Sequence, residues 1–121
     1  MRELVDVSEW LYRRSFSSPE KNFLNPDGTA TSRVFKLRDK DNGELSVDVK
    51  SLTNIKIAIA DSSRFFLFEL ENKIVIEQGL ITYHDPLNDG SNDAHAVITG
   101  ITKDDDITPV VLAKKSRRVY M

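Results

Sequence analysis

The chain has 121 residues, with 17 Lys+Arg, 19 Asp+Glu, two His and no Cys, for a formal charge of −2. That length fits one domain with its own core, spanning residues 1–121, and the absence of Cys excludes a disulfide scaffold, a Cys-ligated zinc and a Cys nucleophile. No apolar run approaches the roughly 20 residues of a membrane span, and Glu3, Asp6, Glu9 and Glu20 argue against a signal peptide, so a soluble, cytoplasmic protein is expected.

The charge is uneven. Residues 61–112 carry 3 basic and 10 acidic side chains, a balance of −7, while residues 113–121 carry 4 basic and none acidic. An acidic middle does not suit a broad phosphate-backbone surface, so nucleic acid is not an expected partner.

In chain order, Leu4 to Phe16 fits either a helical stripe (Leu4, Val7, Leu11) or strand alternation (Trp10, Tyr12, Phe16). Ser17-Ser18-Pro19 breaks it, and Asn25-Pro26-Asp27-Gly28 is a turn. Thr31 to Arg38 reads as a strand. Asn42-Gly43 reads as the turn of a hairpin joining it to Leu45–Val49. There the alternation puts Leu45, Val47 and Val49 inward, with Ser46 and Asp48 on the open face. Ile55, Ile57 and Ile59 alternate like a strand, although Thr53 or Asn54 can cap a short helix. Phe65 to Leu70 reads as a buried strand that turns at Glu71-Asn72-Lys73 into a strand Ile74–Ile76. Gly79 marks a bulge or kink before a strand Leu80–His84. Residues 85–93 form a loop, and Ala94 to Ile101 another strand. The chain closes with a helix over 109–116, capped by Thr108 with Pro109 at its first position, acidic residues ahead of it and Lys114, Lys115 and Arg117 at its end. The expected class is α+β: a mostly antiparallel sheet of five to seven strands with one or two packed helices.

No GxGxxG, GxxxxGK[ST], HExxH or GxSxG motif is present. Three constellations could carry chemistry. His84 and His95 bracket the loop, and a hairpin would make them face each other across its base. Paired imidazoles beside carboxylates can act as base and acid on a phosphodiester or hold a metal, or each can pin the loop to backbone. Arg13 and Arg14, with Thr31, Ser32 and Arg33, could hold a phosphate bidentately, or sit as surface arginines. Asp48 could orient an imidazole or an arginine, or be a solvated carboxylate. The expected site is therefore His84, His95 and Asp48 as catalytic groups and Arg13, Arg14 and Ser32 as ligand-binding groups, with no metal and no cofactor.

Taken together, Leu11-Tyr12-Arg13-Arg14, Leu45-Ser46-Val47-Asp48, His84-Asp85-Pro86, Ala94-His95-Ala96-Val97-Ile98 and Leu112-Ala113-Lys114-Lys115-Ser116-Arg117 resemble a group of small uncharacterised bacterial proteins with an "LYR…LSVD…HDP…AHAxI…LAKRAR" pattern. The resemblance implies a bacterial origin and one surface shared by Arg13, Asp48, His84 and His95. It carries no activity. The arginine before a hydroxyl-bearing strand is also similar to the ADP-ribosyltransferase arrangement, but no Glu falls in a comparable late strand. Two functions are thus expected in competition: a module that binds a protein partner, which the lack of a complete catalytic set favours, and a small enzyme or ligand binder for a phosphate-containing or nucleotide substrate.

Overall fold

Alternating side chains along residues 10–16 and 44–49 bury one face of each strand and so demand a sheet with a covered side. A computed structural model, which describes residues 2–17 and 22–120, supplies it. The strands are β1 (Glu3–Leu4), β2 (Trp10–Phe16), β3 (Glu44–Val49), β4 (Phe65–Glu71), β5 (Ile81–His84), β6 (His95–Thr99) and β7 (Arg117–Val119). They form one antiparallel sheet in the order β1-β5-β6-β3-β2-β4-β7. The helices are α1 (Ile55–Ile59), α2 (Asn72–Glu77) and α3 (Thr108–Lys115). The fold is α+β, as expected.

The register assigns the two faces. Leu11, Leu45, Val47, Val49, Phe68, Leu70, Ala96 and Ile98 point to one side and meet Val34, Phe35, Val75 and Leu112 in the main core. The opposite face carries Tyr12 and Leu67, which pack beneath Ala58 and Ile59 of α1 in a smaller cluster.

β2 takes the alternating reading of its ambiguous segment, and β3 buries Leu45, Val47 and Val49 as its period requires. The expected break after β2 begins at Ser17, but Ser18 and Pro19 lie outside the described residues.

Several expected elements are corrected. Thr31 to Arg38 is not a strand: Ser32–Val34 is a 3₁₀ turn, and Val34, Phe35 and Leu37 are all buried. Adjacent buried residues cannot alternate across a sheet, so the segment lies over the core instead. Asn42 and Gly43 do turn the chain, with φ of 55° and 78°, but into a strand that pairs with β2 and β6. Residues 55–59, by contrast, take the helical one of their two expected readings, with Asn54 as the cap: its Oδ1 accepts from the Ile57 amide at 2.9 Å. The helix's isoleucines do not share a face, since Ile57 is 65 % exposed and Ile59 buried.

Ile74–Ile76 is helical although all three residues are β-branched. Burying Asn72 and Val75 on one side outweighs the propensity, while Ile76 faces outward. Gly79 is the left-handed residue that ends α2 rather than a bulge. Its amide donates to Ile76 O at 2.9 Å and the Leu80 amide to Val75 O at 3.3 Å, the paired bonds of a Schellman motif.

α3 starts one residue earlier than expected, and Arg117 and Arg118 leave it for β7. Its N-cap position is Ile107, not Thr108, and the amides of Ile107 and Thr108 donate to Oδ1 of Asp105 just ahead of the helix, at 3.0 and 2.9 Å. Asp105→Ala should therefore lower the melting temperature by on the order of 5 °C, and Thr108→Ala by less, as read by thermal denaturation.

Candidate functional site

β2 pairs with β4 along its whole length but with β3 only at Leu11–Val49 and Tyr12–Asp48. Beyond Tyr12 the two central strands part. Arg13 braces the opening: its Nε donates to Val34 O and its Nη1 to Ser46 O, both at 2.8 Å. Burial, with Arg38 nearby, lowers Arg13 to about 10, so it remains cationic at neutral pH. This arginine stands at a core-facing register position, opposite Phe68. It replaces strand pairing with side-chain bonds.

A groove of about 570 Å³ follows the parting, a size typical of small-ligand sites. Among the described residues, five cationic side chains line it: Arg13, Arg14, Arg33, Arg38 and Lys40. Asp48 is the carboxylate in its lining, and it accepts from Asn92 Nδ2 at 2.8 Å. Arg38 pairs with Asp41 at 3.4 Å. Arg14 lies over the Phe65 ring, 4.6 Å from its centroid. Among the described residues, Arg14, Arg33 and Lys40 have no carboxylate within ion-pair distance. Ser15, only 7 % exposed, lines the wall, and its hydroxyl has no hydrogen-bond partner among the described residues. Phe16, Phe23, Ile57, Phe65 and Leu87 give the groove its apolar lining.

His95 also lines the groove and is well ordered by its bonds. Its Nδ1 lies 2.8 Å from Asp85 O, and a carbonyl only accepts, so Nδ1 carries the proton and Nε2 is the free base in the neutral ring. That Nε2 is 3.3 Å from Ser46 Oγ, which also lines the groove. The Asp85 carboxylate stands 3.7 Å behind Nδ1 and is itself held by Arg2 at 3.4 Å.

His84 is elsewhere. The β5–β6 hairpin forms as expected, but His84 pairs with Ala96, not His95. Cross-strand partners share a face and successive residues alternate, so the two imidazoles emerge on opposite faces. The idea that they face each other across the loop base is overturned by this offset. His84 Nε2 donates to Asp93 O at 2.7 Å and so ties the loop to backbone. Ser32 opens the 3₁₀ turn and is not in the groove lining, whereas Arg13, Arg14, Asp48 and His95 are.

Arg38, Lys40, Ser15 and Asn92 were not singled out from the sequence. Arg38 and Lys40 both precede the Asn42-Gly43 turn, and a charge pattern read against a hairpin would have assigned them to solvent. No cluster of His, Asp or Glu among the described residues is arranged to hold a metal ion, and no helix among them is long and apolar enough to cross a membrane. No family model, no curated protein and no solved structure matches the chain.

Proposed function

We propose that this protein binds a phosphate-bearing small molecule in the groove between β2 and β3, in the cytoplasmic setting expected from the sequence. The observation that carries the reading is the convergence, among the described residues, of five cations on one concave site with a single carboxylate, in a chain whose net charge is negative. Guanidinium groups match phosphate oxygens bidentately, and a groove with apolar walls focuses their field. Arg13 holds the groove open. Arg14, Arg33 and Lys40, which have no carboxylate partner among the described residues, supply charge for a ligand, and Ser15 supplies a buried donor. This convergence favours a ligand binder over the module for a protein partner.

Calorimetric titration with inorganic pyrophosphate tests it. Saturable binding that weakens with added salt is expected. Arg33→Glu and Lys40→Glu should each reduce affinity about tenfold, or about 1.4 kcal/mol. No saturation at millimolar pyrophosphate, or a double variant that binds as well as the parent chain, would return the balance to the partner-protein reading.

A further inference from the structure

Ser46, His95 and Asp85 are linked in turn: a hydroxyl in the groove, an imidazole whose Nε2, the acceptor nitrogen of the neutral ring, lies 3.3 Å from it, and a residue that holds the other nitrogen through its carbonyl at 2.8 Å. Three different elements place them. Ser46 is on the open face of β3, diagonal to His95 on β6, because Asp48 and Val97 are the respective cross-strand partners of His95 and Ser46. Asp85 follows β5, and its amide donates to His95 O at 2.9 Å, so the loop base and the imidazole are locked to each other. A nucleophile, a base within reach of its proton and a third group that fixes the tautomer of that base are the parts of an activated serine. Hydrogen bonds of this kind commonly tighten once substrate is bound.

We infer that the groove hydrolyses a phosphate monoester, with Ser46 as nucleophile and His95 as proton carrier; the inference rests on the phosphate-binding reading above. His95 Nε2 takes the hydroxyl proton as Ser46 Oγ forms a bond to phosphorus. The bond from phosphorus to the substrate's alcohol oxygen breaks, and that oxygen takes the proton from Nε2. Water then attacks the phosphoserine, Nε2 accepts one of its protons and returns it to Ser46 Oγ as the Oγ–P bond breaks, and inorganic phosphate leaves. Charge on the non-bridging oxygens is what phosphoryl transfer most needs stabilised, and Arg33, Arg38 and Lys40 line the same groove.

The test uses p-nitrophenyl phosphate and the intact chain. The expected result is release of p-nitrophenolate above the buffer rate, with phosphate found on Ser46 by mass spectrometry after an acid quench. Ser46→Ala should abolish both, and His95→Gln should slow release about 100-fold or more, with circular dichroism confirming that each variant is folded. Two outcomes overturn the inference alone: a parent chain that binds pyrophosphate yet releases no p-nitrophenolate, or Ser46→Ala turning over at the parent rate. A parent chain that does not bind pyrophosphate overturns the groove reading and this inference together.

Discussion

Asn72→Ala is expected to cost about 3 kcal/mol, a large share of the stability of a domain this size, visible as a reduced urea midpoint with little change in slope. Asn72 is fully buried and every polar atom of its side chain is used. Its Nδ2 donates to Val5 O at 3.1 Å and Asp6 O at 3.0 Å, and its Oδ1 accepts from Thr82 Oγ1 at 2.6 Å. The residue thus joins the β1–β2 connection, the start of α2 and β5. Alanine leaves two part-buried carbonyls and the buried Thr82 hydroxyl without their partner, and the cost of an unmet buried group exceeds the value of the bond that satisfied it. Thr82→Val should cost about 1 kcal/mol alone and much less in the Asn72→Ala background, because the partner is already gone. Equal effects in both backgrounds would show that the bond contributes nothing to folding.

The second large effect concerns Glu69. Its side chain is only 8 % exposed, yet it lies on the face opposite the main core, between Lys50 at 2.8 Å and Arg117, with which it forms a short contact. Lys50 and Arg117 both lie over the Trp10 ring, at 5.5 and 5.0 Å, and both stay partly exposed while the carboxylate between them is buried. Burial alone would raise the carboxyl. The hydrogen bonds and charges of Lys50 and Arg117 outweigh it and hold Glu69 below the usual carboxylate range. Replacing both cations, as Lys50→Met with Arg117→Met, strands a buried carboxylate and should cost about 2–4 kcal/mol at neutral pH. The pH dependence follows from the depressed value. The contribution of Glu69 is complete above its unfolded value of about 4.5 and is lost as pH falls through the lower folded one. In the double variant burial is left to raise the carboxyl, so the gap between parent and variant should begin to close above pH 4.5 and go on closing below it, as measured by denaturation across a pH series. A gap that stays constant there would mean that packing, not charge, sets it.

What the sequence made legible was whatever depends on neighbours along the chain. The alternation of residues 45–49 foretold which side chains β3 buries, and the aromatic run foretold β4. The hairpin of β5 and β6 around the Asp-rich loop, and the closing helix, were readable for the same reason. Distant contacts decided the rest. Ile74–Ile76 has strand propensity but becomes helical because Asn72 and Val75 are buried on one side. Val34 and Phe35 are apolar enough for a strand but cover the core, leaving no partner for the expected hairpin. Arg117 and Arg118 look like a basic helix end but pair with Glu69 and Phe68 of β4.

The site was legible in the same partial way. Arg13, Arg14, Asp48 and His95 were chosen as residue types and do line one groove. The seam that gathers them was invisible, because it arises where pairing between β2 and β3 stops. A single residue of register then decided between the histidines: His95 falls on the groove face and His84 on the other.

That seam divides the sheet. On one side β1, β5, β6 and β3 form a ladder, and on the other β2, β4 and β7 form a second. Between them stand the pairings of Leu11 with Val49 and Tyr12 with Asp48, the guanidinium of Arg13 and the core beneath. Two ladders joined by only two residue pairs, over one shared core, predict that amide exchange with solvent differs between the two sides of the seam. An anion bridging Arg14 on β2 and Lys40 ahead of β3 would span both ladders. It would stiffen the molecule as a whole by fixing the angle between its halves, although it touched neither ladder's own hydrogen bonds.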